Sequence, residues 1–573
     1  MAAETWSLQK QGFLAYRGHI LALGGPGAGK THVALVRARE EIAMGALQAG
    51  QKILFLSFAR PTVARIIEKA TQLISPSEIK QLEISTYHGF AWNILRSHGY
   101  LLKSSRLMTL LPPPEAAAHF ADIPDERREA EKSRLFNEEG KLHFDLFARM
   151  VATLFQRSAK LAGIYSDAYP TIILDEFQDT NADEWAMIWR LGQRSRLIAL
   201  GDPEQRIYEF RGADPNRLAE FVQAFQPGHF DFTGENHRSN GTDITTFGND
   251  LLTGKNLGKD YSNVKIARYG FYAGKHQHYP AKVALLSALK RLHKQVDISV
   301  AVLVPSKPLM LQVSEYLSAE SDGLPALRHD VAMDVESPAL AAVVIATILE
   351  GEAAGASLAS RLIATLHTHI RGRNGSKEPA QAELELAGAI GSYIGSGKIR
   401  GSKRKLVIDE CHRVAAERLA LTLSGNPEED WLAVRTLLQQ SNATPLARVA
   451  DDAKYLRLLH RGSSLRIALG DLWRTSGGYA GAEAAVRNAL LQEHFAASQK
   501  DWRGIHLMTI HKAKGKEFDE VVIYEGNFLG RIVPSDANPQ RIAQSRLALR
   551  VAVTRAIKRA TIVTPKSKSC PFI

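Results

Sequence analysis

Leu21-Ala22-Leu23-Gly24-Gly25-Pro26-Gly27-Ala28-Gly29-Lys30-Thr31 is the stretch from which the rest of the chain is read. The apolar run Ile20 to Leu23 predicts a short buried strand. It breaks into glycines and then enters a helical pattern through Val33, Leu35 and Val36. Gly24, Gly25, Pro26, Gly27, Ala28, Gly29, Lys30 and Thr31 fit the spacing G-x-x-x-x-G-K-[ST]. Glycines let the backbone turn so that successive N–H groups point at phosphate oxygens, and the following helix adds its positive end. Lys30 then reaches the β- and γ-phosphates, and the Thr31 hydroxyl suits Mg²⁺. The stretch predicts a nucleotide site on an α/β fold; what the nucleotide is used for rests on the rest of the chain.

At 573 residues the chain is too long for one ordinary core, and several domains are expected. A hydrophobic content of 45% and a charged content of 23% fit a soluble globular protein. The net charge of +12 favours an anionic partner, with nucleic acid ahead of a membrane surface. Cys411 and Cys570 lie far apart without C-x-x-C spacing, which argues against a disulfide framework or a structural zinc site and for a reducing compartment. The start lacks a basic and apolar leader, and no apolar run approaches membrane-spanning length. These features predict a soluble, cytoplasmic protein with no membrane association.

Further strands are expected at Lys52–Phe58, Thr171–Leu174, Arg196–Leu200, Ile298–Val304, Ile505–Ile510, Glu520–Tyr524 and Thr561–Val563, with helices between them. Strand alternating with helix predicts parallel sheets. Pro112-Pro113-Pro114 reads as a break, followed by a small charged helical insertion, and residues 341–500 read as mostly helical. The basic run Gly395 to Lys405 reads as a solvated flexible loop. Asp175-Glu176 directly follows a buried strand, where ligands bind in parallel folds. Beside a phosphate loop, such a pair suits one carboxylate on Mg²⁺ and a second to orient and deprotonate the attacking water.

Asp175-Glu176-Phe177-Gln178-Asp179-Thr180-Asn181 resembles the signature of UvrD/Rep/PcrA-like superfamily 1 helicases. So do Gly201 to Ala213, Asn236-His237-Arg238-Ser239, Leu507 to Asp519 and Val551 to Ala556, all in the family's order. The resemblance implies two RecA-like P-loop domains with parallel sheets, each carrying a mainly helical insertion. It divides the chain into a first RecA-like domain (1–95 and 151–240) with insertion 96–150, and a second (241–340 and 501–573) with insertion 341–500. It implies ATP bound between the lobes, with Gln205 as γ-phosphate sensor and Arg238 and Arg555 reaching across from the second lobe. Cations converging on a transferring phosphoryl group stabilise its developing charge. Glu517 corresponds to a position near the nucleotide sugar, and Gln11, with Gln9 as the alternative, to an adenine-reading glutamine. His32 and His237 flank the base. On the strand-binding side the resemblance implies Phe58, Arg60, His88, Tyr208, Phe210 and His511. Aromatic faces there stack on unpaired bases without reading sequence.

Four positions depart from the family pattern: His32 for arginine, His237 for tyrosine, Lys516 for leucine and Arg550 for tyrosine. The two histidines bear on base stacking and on selectivity for ATP. The short first insertion and the few residues after the last motif speak against a partner-docking tail. The implied activity is an ATP-dependent, nucleoid-associated helicase or translocase moving 3′ to 5′ on single-stranded or partly duplex DNA. A second reading is a nucleotide-gated DNA sensor within a repair or anti-phage assembly that licenses a partner nuclease, and a third is an RNA-directed ATPase.

Overall fold

The computed structural model describes residues 6–58, 60–102, 107–202, 214, 216–235, 237–270, 272–332, 336–352, 355–375, 379–454, 464–495, 502–534 and 537–573. Two compact units emerge. One comprises residues 1–91, 148–333 and 497–573, the other 92–147 and 334–496.

The first unit holds two six-stranded parallel sheets, as the strand–helix alternation predicts. The first sheet is built from β1 (Ile20–Leu23), β2 (Ile53–Ser57), β3 (Leu82–Thr86), β4 (Thr171–Leu174), β5 (Arg196–Gly201) and β6 (Gly228–Asp231), in the order β3-β2-β4-β5-β1-β6. The second uses β7 (Val264–Tyr269), β8 (Ser299–Val304), β9 (Asp330–Ala332), β10 (Gly504–Thr509), β11 (Phe518–Tyr524) and β12 (Ala556–Pro565), in the order β9-β10-β8-β11-β12-β7. β1, β2 and β4 are almost wholly buried apolar runs, as strands covered on both faces must be. In the second sheet alternate residues serve opposite cores. Ala301, Leu303, Val521 and Ile523 pack on one side, and Val300, Val302, Val522 and Tyr524 on the other.

Three helices bring the first sheet to the candidate site. α1 (Leu8–Ala15) is capped by the Ser7 hydroxyl, which accepts from the Lys10 N–H, and is anchored by Phe13 against Phe230 and Phe232. α2 (Lys30–Ala43) starts directly after the glycine loop, and α3 (Arg60–Leu73) follows β2.

The second unit is almost entirely helical. Its core gathers around the helix Glu336–Glu350, whose segment Ala341–Leu349 is buried throughout, with the one hydroxyl in it, that of Thr347, donating to Val343 O. A helix apolar on all sides is one packed on all sides. Within this unit the Pro112–Pro114 run does not simply break the chain. Pro113 opens the helix Pro113–His119, a position where its missing N–H is no loss. The basic run at 395–405 is likewise only partly a loop. One helix ends at Ser396 and the next begins at Ser402, so Lys403, Arg404 and Lys405 are helical.

Candidate nucleotide site

The site is built from the carboxyl ends of β1 and β4 in the first sheet and from the segments before β11 and after the helix Pro539–Val553 in the second. These residues enclose a cavity of about 840 Å³. Residues Gly25–His32 line it. Gly27 (φ +81°) and Gly29 (φ +84°) take left-handed conformations that allow the loop to turn its N–H groups inward before α2. Lys30 Nζ donates to the Gly24 carbonyl at 2.5 Å and the Gly25 carbonyl at 3.3 Å, so it lies folded along the loop it would serve.

Asp175 and Glu176 reach the cavity side by side. Burial, with the adjacent Glu176 charge, pushes the Asp175 carboxyl up; Lys30 and the Ser57 hydroxyl, which donates to it at 3.2 Å, work against that. Burial also acts on Glu176, but Lys514 at 3.8 Å, Lys30 and the Gln178 amide at 2.6 Å outweigh it and hold that carboxyl below its usual range. Glu176 sits at φ +53°, a costly conformation for a side chain other than glycine and one that clusters at functional sites. Two neighbouring carboxylates are thus pushed apart in acidity, which leaves Glu176 as the ionised member of the pair.

Glu517 and Arg555 come from segments flanking strands of the second sheet, and Arg238 comes from the connection between β6 and β7. Arg238 forks onto Glu517 through Nε (2.6 Å) and a terminal nitrogen (2.5 Å) and donates to Thr554 O. Glu517 also takes Arg65 from α3 at 2.6 Å, and Arg65 donates to Gly515 O, so α3 is fastened across to the second sheet. Burial pushes the Glu517 carboxyl up, but Arg238 and Arg65 reverse this and hold it far below the usual carboxylate range. Arg555 is fully buried, its Nε donating to Val551 O. Burial and the nearby Arg238 lower it to about 9, so it remains a cation at neutral pH.

A segment described as the UvrD/REP helicase N-terminal domain matches residues 7–144 and 133–226, and the UvrD-like helicase C-terminal domain matches residues 482–567. Together these cover more than half of the chain. The chain belongs to the UvrD/Rep/PcrA-like superfamily 1 helicases. It is 24% identical over 266 residues to the ATP-dependent DNA helicase PcrA of Leuconostoc citreum, covering 39% of this chain and 35% of that protein. It is 25% identical over 301 residues to DNA helicase II of Haemophilus influenzae, 44% of this chain and 41% of that protein. It is also 24% identical over 267 residues to the ATP-dependent DNA helicase Rep of Salmonella typhimurium, 39% and 40% of the two chains. The matched part therefore spans well under half the length of these relatives.

Of the residues expected from the family motifs, the structure brings Gly25 to His32, Asp175, Glu176, His237, Arg238, Glu517 and Arg555 to one cavity. It does not bring Gln11 there. The Gln11 amide is exposed and donates to Trp6 O at 2.8 Å, and Gln9 accepts from Asp231 N instead. The reason is helical spacing. Ser7 and Lys10, three residues apart, share the face of the α1 segment that meets the cavity, and Gln9 and Gln11 lie to either side. Gln205, Tyr208, Phe210 and Asn236 lie outside the described residues.

Phe58 follows β2 and lies 4.8 Å from the Tyr87 ring. Arg60 opens α3, His88 follows β3 with its ring 3.9 Å from Glu184, and His511 is exposed after β10. All four thus follow carboxyl ends of strands, the side on which parallel sheets bind ligands. Two of the departures from the family pattern make their own contacts. Arg550 is buried 3.8 Å from Asp202 and donates to Asn249, and Lys516 lies over the Trp502 ring and donates to Lys512 O.

Sequence reasoning missed Lys10, Arg65, Lys69 and Glu235, which no motif marks and only packing places, and it gave no role to Lys514, which lies within the motif Leu507 to Asp519. Among the described residues no helix is long and apolar enough to cross a membrane.

Proposed function

We propose that the chain is an ATP-driven motor on single-stranded DNA, moving 3′ to 5′ and displacing a paired strand ahead of it. One observation carries the reading: a phosphate loop with an acidic pair from one sheet shares a single cavity with Arg555 of the other sheet and with Arg238, from the connection between them. Glu176, kept ionised by Lys514, Lys30 and Gln178, orients the attacking water and takes its proton. Lys30, Arg238 and Arg555 stabilise charge gathering on the phosphoryl group. The Thr31 hydroxyl and the buried Asp175 carboxylate are the hard oxygen donors that a nucleotide-borne Mg²⁺ takes, and that ion would neutralise phosphate charge. Because opposite walls belong to different sheets, binding favours their approach and product release favours separation. Phe58, Phe210 and His511 then grip the strand alternately through stacking and phosphate contact. The net charge of +12 supports a nucleic-acid track.

Lys30→Ala and Glu176→Gln are each expected to lower DNA-stimulated phosphate release by at least about 100-fold. Turnover like the wild type in either variant refutes the mechanism. A strand-displacement assay run beside it separates the readings. Unwinding supports the motor, and turnover without unwinding supports a nucleotide-gated DNA sensor for a partner nuclease.

A further inference from the structure

The part of the cavity around Lys10 and Glu235 has a chemistry of its own. Among the described residues the aromatic rings that line the cavity, Trp6, His32 and His237, lie there, with Trp6 and His32 at 5.9 Å between ring centres. Lys10, 3% exposed, pairs with Glu235 at 2.5 Å and meets His237 Nε2 at 2.9 Å. The Ser7 hydroxyl donates to the other Glu235 oxygen at 2.6 Å. The cluster packs directly on the phosphate loop, since a Cβ at Gly29 would meet Lys10 Nζ at 3.2 Å. Flat rings suit a nucleobase. The Glu235 carboxylate repels phosphate but accepts from a ring amine, so this end suits the base.

Resting on the nucleotide-hydrolysis reading above, we infer that Lys10 and Glu235 read the base edge and admit adenine and guanine nucleotides alike. Adenine presents an acceptor (N7) beside a donor (the 6-amine). Guanine presents acceptors (N7 and O6) and donors (N1–H and the 2-amine). The Lys10 ammonium can turn a donor not held by Glu235 to either acceptor set, and the carboxylate can accept from either donor set. Strong discrimination arises when the wrong ligand leaves a buried polar group unpaired. Here it does not arise, because Lys10 and Glu235 remain paired to each other whichever purine is bound.

The test measures kcat and KM for ATP, GTP, CTP and UTP, together with equilibrium binding of fluorescent ATP and GTP analogues to the full chain. Wild type is expected to use GTP within about tenfold of ATP in kcat/KM, with both pyrimidine nucleotides below either purine. Glu235→Ala is expected to raise KM for both purines about tenfold while kcat stays within about twofold. Lys10→Gln puts an amide at the same place and is expected to shift the preference toward ATP. A wild-type preference for ATP over GTP above about 100-fold overturns the inference, as does unchanged purine KM in Glu235→Ala. The binding arm keeps the two readings apart. If no nucleotide is hydrolysed, the motor reading fails, while matched binding of the ATP and GTP analogues still supports the base-edge role and unmatched binding still refutes it.

Discussion

Lys514→Met tests whether Glu176 owes its ionisation to a residue of the opposite sheet. Lys514 is buried, pairs with Asp179, and lies 3.8 Å from Glu176. At an effective dielectric near 20, that separation corresponds to a gross attraction of about 4 kcal/mol. Lys30 and the Gln178 amide still act on Glu176 in the variant. A net loss of about 1–2 kcal/mol is therefore the working figure, or about 5–30-fold in the protonation equilibrium. The sign follows from what Lys514 does. It holds the Glu176 carboxyl down, so removing it moves the carboxyl up, and the base is protonated further into the neutral range. DNA-stimulated phosphate release should fall by up to that factor on the acid limb, which moves up by about one pH unit from below the ordinary carboxylate value of 4.5, and should approach the wild-type rate by about pH 8. Methionine keeps the side-chain volume, and Asp179, which burial already pushes up to about 7, can take a proton in place of its lost partner. A pH–rate profile with an unmoved acid limb, or a loss equal at every pH, refutes this account of Glu176.

Arg65→Ala removes the link from α3 to Glu517 and Gly515, which lie on the opposite wall of the cavity. KM for ATP should rise about tenfold with a smaller change in kcat, read from steady-state kinetics. In the helical unit, the nearly buried Glu410 accepts from Arg413, the Ser441 hydroxyl and the Asn442 N–H, and these contacts lower its carboxyl to about 2. Glu410→Gln should cost about 1–2 kcal/mol in urea denaturation at neutral pH. Because the folded carboxyl titrates below the unfolded one, this stabilisation is present above the ordinary carboxylate value of 4.5 and fades as pH falls toward about 2, so the two proteins should converge in acid.

The sheets were legible because their strands are short apolar runs set between glycines and helical periods. Thr171–Leu174 was read to the residue. Gly228–Asp231 and Val264–Tyr269 were not, since both carry polar or charged residues along a partly exposed strand. The phosphate end of the site was legible because its chemistry demands fixed spacing. The base end was not. Lys10 reads as one basic residue in a polar stretch, and only the Ser7–Lys10 helix face, the anchoring of Phe13 and the approach of Glu235 give it a place. Arg65 and Lys514 were missed for the same reason: their partners lie 452 and 335 positions away in the chain.

The charges around the cavity give the two-sheet arrangement a physical consequence. Among the described residues six cationic side chains line it, Lys10, Lys30, Arg65, Lys69, Arg238 and Arg555, against four acidic ones, Asp175, Glu176, Glu235 and Glu517, a formal surplus of two positive charges. Burial and the neighbouring Arg65 lower Lys69, as expected of a crowd of like charges short of counter-ions. A nucleoside triphosphate carrying one Mg²⁺ brings two negative charges, so in the proposed cycle the loaded cavity is neutral. Once the γ-phosphate has left, the diphosphate with its ion brings only one. The surplus returns between Lys30 on one wall and Arg238 and Arg555 on the other. Their repulsion, in a buried cavity where salt screens poorly, favours separation of the walls at the step where a motor must release its track.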